Sequence, residues 1–297
     1  VNFFSEKKMK KFCTLLLGIM SISSIGVADE PTDLPGYRAA YLLQTIDVEH
    51  LSISPAKSRY GHFSYGDSTA TVNTVINSTN SKEVGVIAGV RRVHMRLGSS
   101  INPHNVSYGV LGLNAKYSAM ERWVWVSALV AQPELSSGAF HSARYIGALN
   151  GRYMMNDKAG IHVGAYAEVG MRASNVFPVF GLDYSSGNWT WQGVYPLKAG
   201  VSYNGIEKHR LSCFIRPFYT AVRVNKGIHY HSSVARYQGQ GAELRWDWLP
   251  RSRWNLWASI GRTINGNVTV GDTHNHHRHH VHLHQAPYFQ VGLVFDL

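Results

Sequence analysis

Cysteine is nearly missing from this chain: Cys13 and Cys213 are the only two in 297 residues. If residues 1–28 are a leader, as argued below, Cys213 is left alone and no disulfide can form within the chain. An exported protein of this size without a disulfide framework must be closed by its backbone. Long apolar runs are scarce as well. Beyond residue 28 no stretch approaches the ~18 apolar residues of a spanning helix, so a mature chain that enters a membrane does so as strands. No segment of useful length carries a helical period, and no repeat exceeds the rhythm of strand and turn. Gly-rich phosphate loops and carboxylate pairs of diagnostic form are lacking too. The excess of 29 Lys+Arg over 18 Asp+Glu is scattered along alternating segments rather than gathered in one patch, which argues against nucleic acid as a partner.

What is present begins at the N-terminus. Lys7, Lys8, Lys10 and Lys11 surround Met9, which suits a start. An apolar core runs from Phe12 through Leu15, Leu16 and Leu17 to Val27, and Gly26-Val27-Ala28 is a small-x-small cleavage site. Residues 1–28 therefore read as an N-terminal extension with a secretory signal peptide, cleaved near Ala28, and 29–297 as the mature domain. Removing four lysines and one glutamate from a balance of +11 leaves +8.

The mature chain alternates. In 158–172 every odd position from Ala159 to Met171 is apolar, while Lys158, His162, Tyr166, Glu168 and Arg172 fall between them. A period of two puts these sets on opposite faces of one strand, and fifteen extended residues span roughly 50 Å. Such length, with one apolar and one charged face, suits a barrel that is wet inside and touches lipid outside. Similar patterns recur at 109–117, 144–153, 188–195, 197–204 and 242–248, with tight turns such as Asn156-Asp157 between copies. Further strands are expected over 37–49, 69–78, 84–98, 122–131, 209–223 and 253–263. The fold expected is all-β: a single closed antiparallel transmembrane barrel of about 12 strands, within a range of 10–14, an even number being the rule for bacterial barrels. Trp and Tyr on the apolar faces fit the aromatic girdles of such barrels.

The C-terminus agrees. In PYFQVGLVFDL, Phe289, Val291, Leu293, Phe295 and Leu297 share one face. This resembles the last strand of bacterial outer-membrane barrels, which the assembly machinery of that membrane reads, although those strands most often end in Phe or Trp. The stretch Phe180-Gly181-Leu182-Asp183-Tyr184, Trp189, Tyr195-Pro196-Leu197 and Ser202-Tyr203 resembles an uncharacterised family of bacterial outer-membrane β-barrels defined only as a domain of unknown function. The resemblance implies fold and membrane. It brings no catalytic residue with it.

Three sets of residues bear on chemistry. Arg92, His94 and Arg96 alternate with Val93, Met95 and Leu97, so the cations are expected to face the lumen with Arg144, Arg152, Arg172 and Arg245. In a narrow lumen they would favour small anionic solutes. Alternatively they pair with Glu168, Glu243 and Asp247 and fill the interior. His274, His276, His277, His279, His280, His282 and His284 crowd one segment before the last strand. Read as an external loop, it would offer neutral imidazoles to zinc, nickel or copper, or be a plain solvated loop. No other cofactor is implied. His231 and Ser233, two apart, have the spacing of a base and nucleophile in outer-membrane lipid hydrolases, but no motif orients them. The expected role is passive and non-enzymatic: a narrow porin-like channel or structural surface protein in the outer membrane of a Gram-negative-type bacterium. A lipid hydrolase or a soluble exported β-sandwich binding module are the alternatives.

Overall fold

The computed structural model describes residues 45–297 apart from 59–60, 99–100, 120–121, 136–142, 171–172, 225–232, 252–253, 273–277 and 297. The expected leader lies outside the described residues. Fifteen strands follow in order: β1 Thr45–Ser58, β2 Gly61–Ser78, β3 Lys82–Leu97, β4 Ile101–Ala119, β5 Trp123–Gln132, β6 Arg144–Asn156, β7 Ala159–Gly170, β8 Ala173–Ser186, β9 Trp189–Tyr195, β10 Lys198–Ile206, β11 His209–Val224, β12 Ser233–Arg251, β13 Trp254–Asp272, β14 Arg278–Leu283 and β15 Pro287–Asp296. From β1 to β13 each pairs antiparallel with the next. The sheet closes where β1 meets β15, from Thr45↔Asp296 to Ile53↔Tyr288.

β14 and β15 both pair with β13, at Gly266–Gly271 and at Trp254–Arg262, and so share one position in the wall. The barrel therefore has fourteen strand positions rather than about twelve. β8 is the strand that turn signals fail to separate, because only residues 171–172 part it from β7. Closure pairs every position with two neighbours and gives the strand at the C-terminus two partners at once.

Strand length is uneven, and that shapes the molecule. A tilted strand crosses a bilayer in about 9–11 residues. β2, β4, β12 and β13 run to 18, 19, 19 and 19 residues, whereas β9 and β10 have 7 and 9. One side of the barrel is thus tall and the other low. Around the foot, outward Trp and Tyr rings pack near the tight turns: Trp123 with Trp125 and Tyr153, Trp189 with Tyr203, and Trp254 with Phe295, at centroid distances of 4.7–5.3 Å. Amphipathic rings at one level form a girdle of the kind expected at a membrane interface.

The tall side changes character along its length. On β3 the outward residues are Val84, Val86, Ala88 and Val90, then Arg92, His94 and Arg96. Inward, Ile87 and Arg91 are followed by Val93, Met95 and Leu97, which are almost wholly buried. Neighbouring strands repeat the change outside: Val48 gives way to His50 on β1, Leu111 to Ser107 on β4, and Ala242 to Gln240 on β12. Inside, Ile53, Phe63, Tyr65, Val93, Met95, Leu97, Tyr108, Phe218, Tyr237 and Tyr288 join in one apolar core spanning β1–β4 and β11–β15. Below the change the wall is apolar outside, as lipid demands, with a smaller apolar cluster of Ile87, Val110, Val130, Ile146, Val179 and Val194 beside its inward polar groups; above it the wall is apolar inside, as water demands.

Candidate functional site: the barrel lumen

The lower lumen is lined by inward residues of the same alternation. Asp67 and Arg91 lie on β2 and β3, Gln132 ends β5, Arg144 opens β6, and Tyr166 and Glu168 lie on β7. Their side chains connect in series. Tyr65 donates to Asp67 at 2.6 Å, and Arg91 pairs with Asp67 at 2.7 Å. Arg91 also donates to Gln132 Oε1 at 2.9 Å, and Arg144 pairs with Glu168 at 2.5 Å. Two bonds then cross the lumen to β11: Arg91 Nη2 to Thr220 Oγ1 at 3.0 Å, and Arg144 Nη2 to the Tyr219 carbonyl at 3.5 Å. Planar guanidinium groups suit this work, because each binds several acceptors at once.

Three further groups occupy the lumen. Arg152 grips Asp183 through Nη2 at 2.7 Å and Nε at 2.9 Å, and His162 Nε2 lies 2.7 Å from the same carboxylate. Arg216 pairs with Glu243 at 3.1 Å and hydrogen-bonds Gln290, while Tyr288 and Ser259 also donate to Glu243. Arg245 pairs with Asp247 at 2.5 Å and lies over the Trp257 ring at 4.2 Å. Desolvated charges persist only with such partners.

The expected lumen cations divide accordingly. Arg144, Arg152 and Arg245 face inward, each on a carboxylate. Arg92, His94 and Arg96 do not: they point outward from the upper part of β3, His94 bonding Asn105 at 2.9 Å. The reason is the reversal of faces along the strand; Val90 is 54% exposed and Arg91 7%. Arg172 is outside the described residues. Reading from the motif alone misses Arg91, Arg216, Asp67 and Asp183. A signal for Arg91 existed: unbroken alternation from Val84, Val86, Ala88 and Val90 puts 91 inside.

The histidine-rich segment is not simply a loop. His274, His276 and His277 lie outside the described residues, but His279, His280 and His282 belong to β14, which pairs with β13. His280 and His282 point outward, His280 bonding Thr269 at 3.1 Å, while Val281 between them enters the apolar core. His284 follows, exposed, with its backbone N–H on the Lys57 carbonyl. Alternate His residues against Val281 and Leu283 make a polar-faced strand, which explains the ordering. Of the proposed base and nucleophile, His231 is outside the described residues and Ser233 opens β12.

A cavity of about 1610 Å³ opens from the lumen. Asp67, Thr69, Thr71, Arg91 and Arg144 line it on one side. Phe177, Val194, Leu197, Phe214, Phe218 and Tyr237 line it elsewhere, giving the space a polar and an apolar part.

No family model matches the chain, and no curated protein matches it. Solved structures similar in outline include a "KdgM porin in complex with disordered oligogalacturonate", 9% identical over 85% of this chain and 99% of that one, with a TM-score of 0.35. A toluene transporter of Pseudomonas putida, TodX, is 9% identical over 86% and 89%, with a TM-score of 0.38. A bacterial polysaccharide outer membrane secretin is 9% identical over 86% and 99%, with a TM-score of 0.40. At such scores these likenesses transfer neither solute nor mechanism to this chain.

Proposed function

We propose that the protein is an outer-membrane barrel that passes small solutes through a narrow lumen. The observation that carries this reading is the belt: Val84, Val86, Ala88 and Val90 outside, with Asp67, Arg91, Arg144 and Glu168 inside at the same levels of the wall. An apolar exterior around an ion-paired interior is what a spanning barrel requires. β15, apolar outward at Phe289, Val291, Leu293 and Phe295, is the strand through which the assembly machinery would engage it. The Phe180–Tyr203 stretch that resembles a family of unknown function lies in β8–β10, part of this same belt. Small anionic solutes fit the basic excess, although the lumen arginines already hold carboxylates and leave a mixed lining.

The reading is tested by conductance of the purified chain in a planar bilayer. Small, discrete steps are expected, because Arg91 and Arg144 reach across the lumen to β11. Replacing both by alanine enlarges the steps. A silent bilayer with both proteins overturns the channel reading in favour of a structural role. We read the role as non-enzymatic, so Ser233→Ala leaves the steps unchanged and removes no lipid hydrolysis; loss of a hydrolytic activity would promote the enzyme. Metal capture by the histidine-rich segment is a separate proposal, supported by the outward pair His280 and His282.

A further inference from the structure

The wall of the barrel is interrupted at the low side. β8 pairs with β9 only up to Phe180↔Tyr195, and β10 pairs with β11 only from Ala199↔Ile215. Above these points β8 pairs with β7 alone and β11 with β12 alone among the described residues. Between the two unpaired edges is a window. Its sill is the tip of the β9–β10 hairpin, Tyr195-Pro196-Leu197, closed by the Leu197 N–H on the Val194 carbonyl at 2.7 Å. Above it, Tyr219 of β11 and Asn175 of β8 approach each other across the opening. Pro178 and Pro217 sit in the two jambs. Proline lacks an N–H and is at home on strand edges that are to stay unpaired.

The cavity lies directly behind this window. Its lining includes the lumen residues Thr69, Arg91 and Phe214 together with the hairpin tip, Tyr195, Pro196 and Leu197, and with both jambs, Phe177 and Phe180 on β8 and Pro217, Phe218 and Tyr219 on β11. Outside, the window opens at the upper margin of the apolar belt, where Ile215 on β11 pairs with Ala242, the last apolar residue before Gln240 on β12. The apolar outer surface reaches the window along β8, where Val176, Pro178 and Phe180 are exposed, and Gln238 and Gln240 border it on the side of β12.

We infer that the window is a side door through which a single-chain amphiphile of the bilayer reaches the lumen. Its acyl chain would lie over Leu197, Phe214 and Phe218 and its hydrogen-bonding head would reach Thr69, Thr71 and Gln132. The two-part lining selects a two-part ligand: apolar side chains at the door exclude a free hydrophilic solute, and polar groups within satisfy a head group that lipid cannot. This inference rests on the lumen being solute-accessible and adds the route and class of one solute.

Gly193 supplies the test. It lies on the outward face of β9 between Trp191 and Tyr195, lines the cavity, and a Cβ placed there meets no atom within 4 Å. Gly193→Trp therefore places an indole on the outer approach just below the sill, where its first carbon meets no neighbour; Ala199→Phe, on the neighbouring strand, is a second obstruction. The full chain in phosphatidylcholine vesicles is irradiated with a palmitate bearing a photoactivatable diazirine. Labelling of segment 194–219 is expected to saturate, to be competed by unlabelled palmitate, and to fall at least tenfold in both variants. Val90→Trp, on the tall side, leaves it unchanged. Labelling that is uniform around the belt, without competition and indifferent to Gly193→Trp and Ala199→Phe, overturns the side door. Conductance of the same preparations separates the two readings: steps that persist while labelling fails leave the channel standing and remove only the door.

Discussion

Arg144 and Glu168 are tolerable inside the lumen only as a pair. Both side chains are nearly inaccessible, 8% and 3% exposed, and each satisfies the other at 2.5 Å. Removing one partner strands a charge where water is scarce. Glu168→Leu alone should cost about 3–5 kcal/mol, whereas the double change Arg144→Met with Glu168→Leu should recover most of it. Denaturant unfolding from vesicles, run as a double-mutant cycle, reads the difference. Lipid-facing residues answer to another rule. Arg in place of Val163, which is 42% exposed on the outside of β7, should cost ~2–4 kcal/mol. The neighbouring Gly164 is unsuitable as the inward control, because any side chain there collides with the Leu149 carbonyl. Gln192→Arg serves instead: Gln192 faces the cavity beside Asp183, and the change should lie well below the cost at Val163. Equal costs at the two positions would show that the faces are not lipid and water.

Among the elements, β15 carries the heaviest duty, since it pairs with β1 on one side and β13 on the other. Deleting Val291–Leu297 removes closure and opens two edges, so the protein should lose heat-modifiable migration and aggregate. β14 is more tolerant. Its outward His280 and His282 can become Ser or Asn while Val281 keeps its place in the core, and the backbone pairs with β13 survive. Replacing all seven histidines of 274–284 should leave migration intact and abolish zinc or nickel retention by the chain; retention that survives points to His50, His62 and His94 higher on the wall. The sequence made much of β7 legible: Ile161 and Val163 are exposed on the outer face while His162 and Glu168 are buried on the inner one, although Ala159 and Ala167 of the apolar set are covered by their neighbours. It misled on β3 for a physical reason. Period two tells which residues share a face, not which face is wet, and on β3 the wet face changes sides between Val90 and Arg92. The ion pairs were hidden for a related reason: Arg91 with Asp67 and Arg152 with Asp183 join residues far apart in sequence, and only the closed sheet brings them together.

The whole molecule is an uneven cylinder. Its lower part is a membrane barrel with a girdle of Trp and Tyr, and its tall side continues upward as a water-exposed, internally apolar wall. The low side, β9 and β10, ends near the top of the belt and leaves the window. Strand length sets both features at once: extra residues in β2–β4 and β11–β13 need a core of their own once they leave lipid, and missing residues in β9 and β10 leave the edges of β8 and β11 bare. A cysteine scan along the outward positions of β3 reads this arrangement directly. Cys13 and Cys213 are first replaced by serine. A fluorophore is then attached in turn at 84, 86, 88, 90, 92, 94 and 96 in vesicles. Labels at 84–90 should be quenched by nitroxide-bearing lipid and ignored by aqueous iodide, and labels at 92–96 should respond in the opposite way. Labels at 92, 94 and 96 that are shielded from iodide added outside, or labels at 84–90 that lipid nitroxide fails to quench, would contradict a belt that ends between Val90 and Arg92.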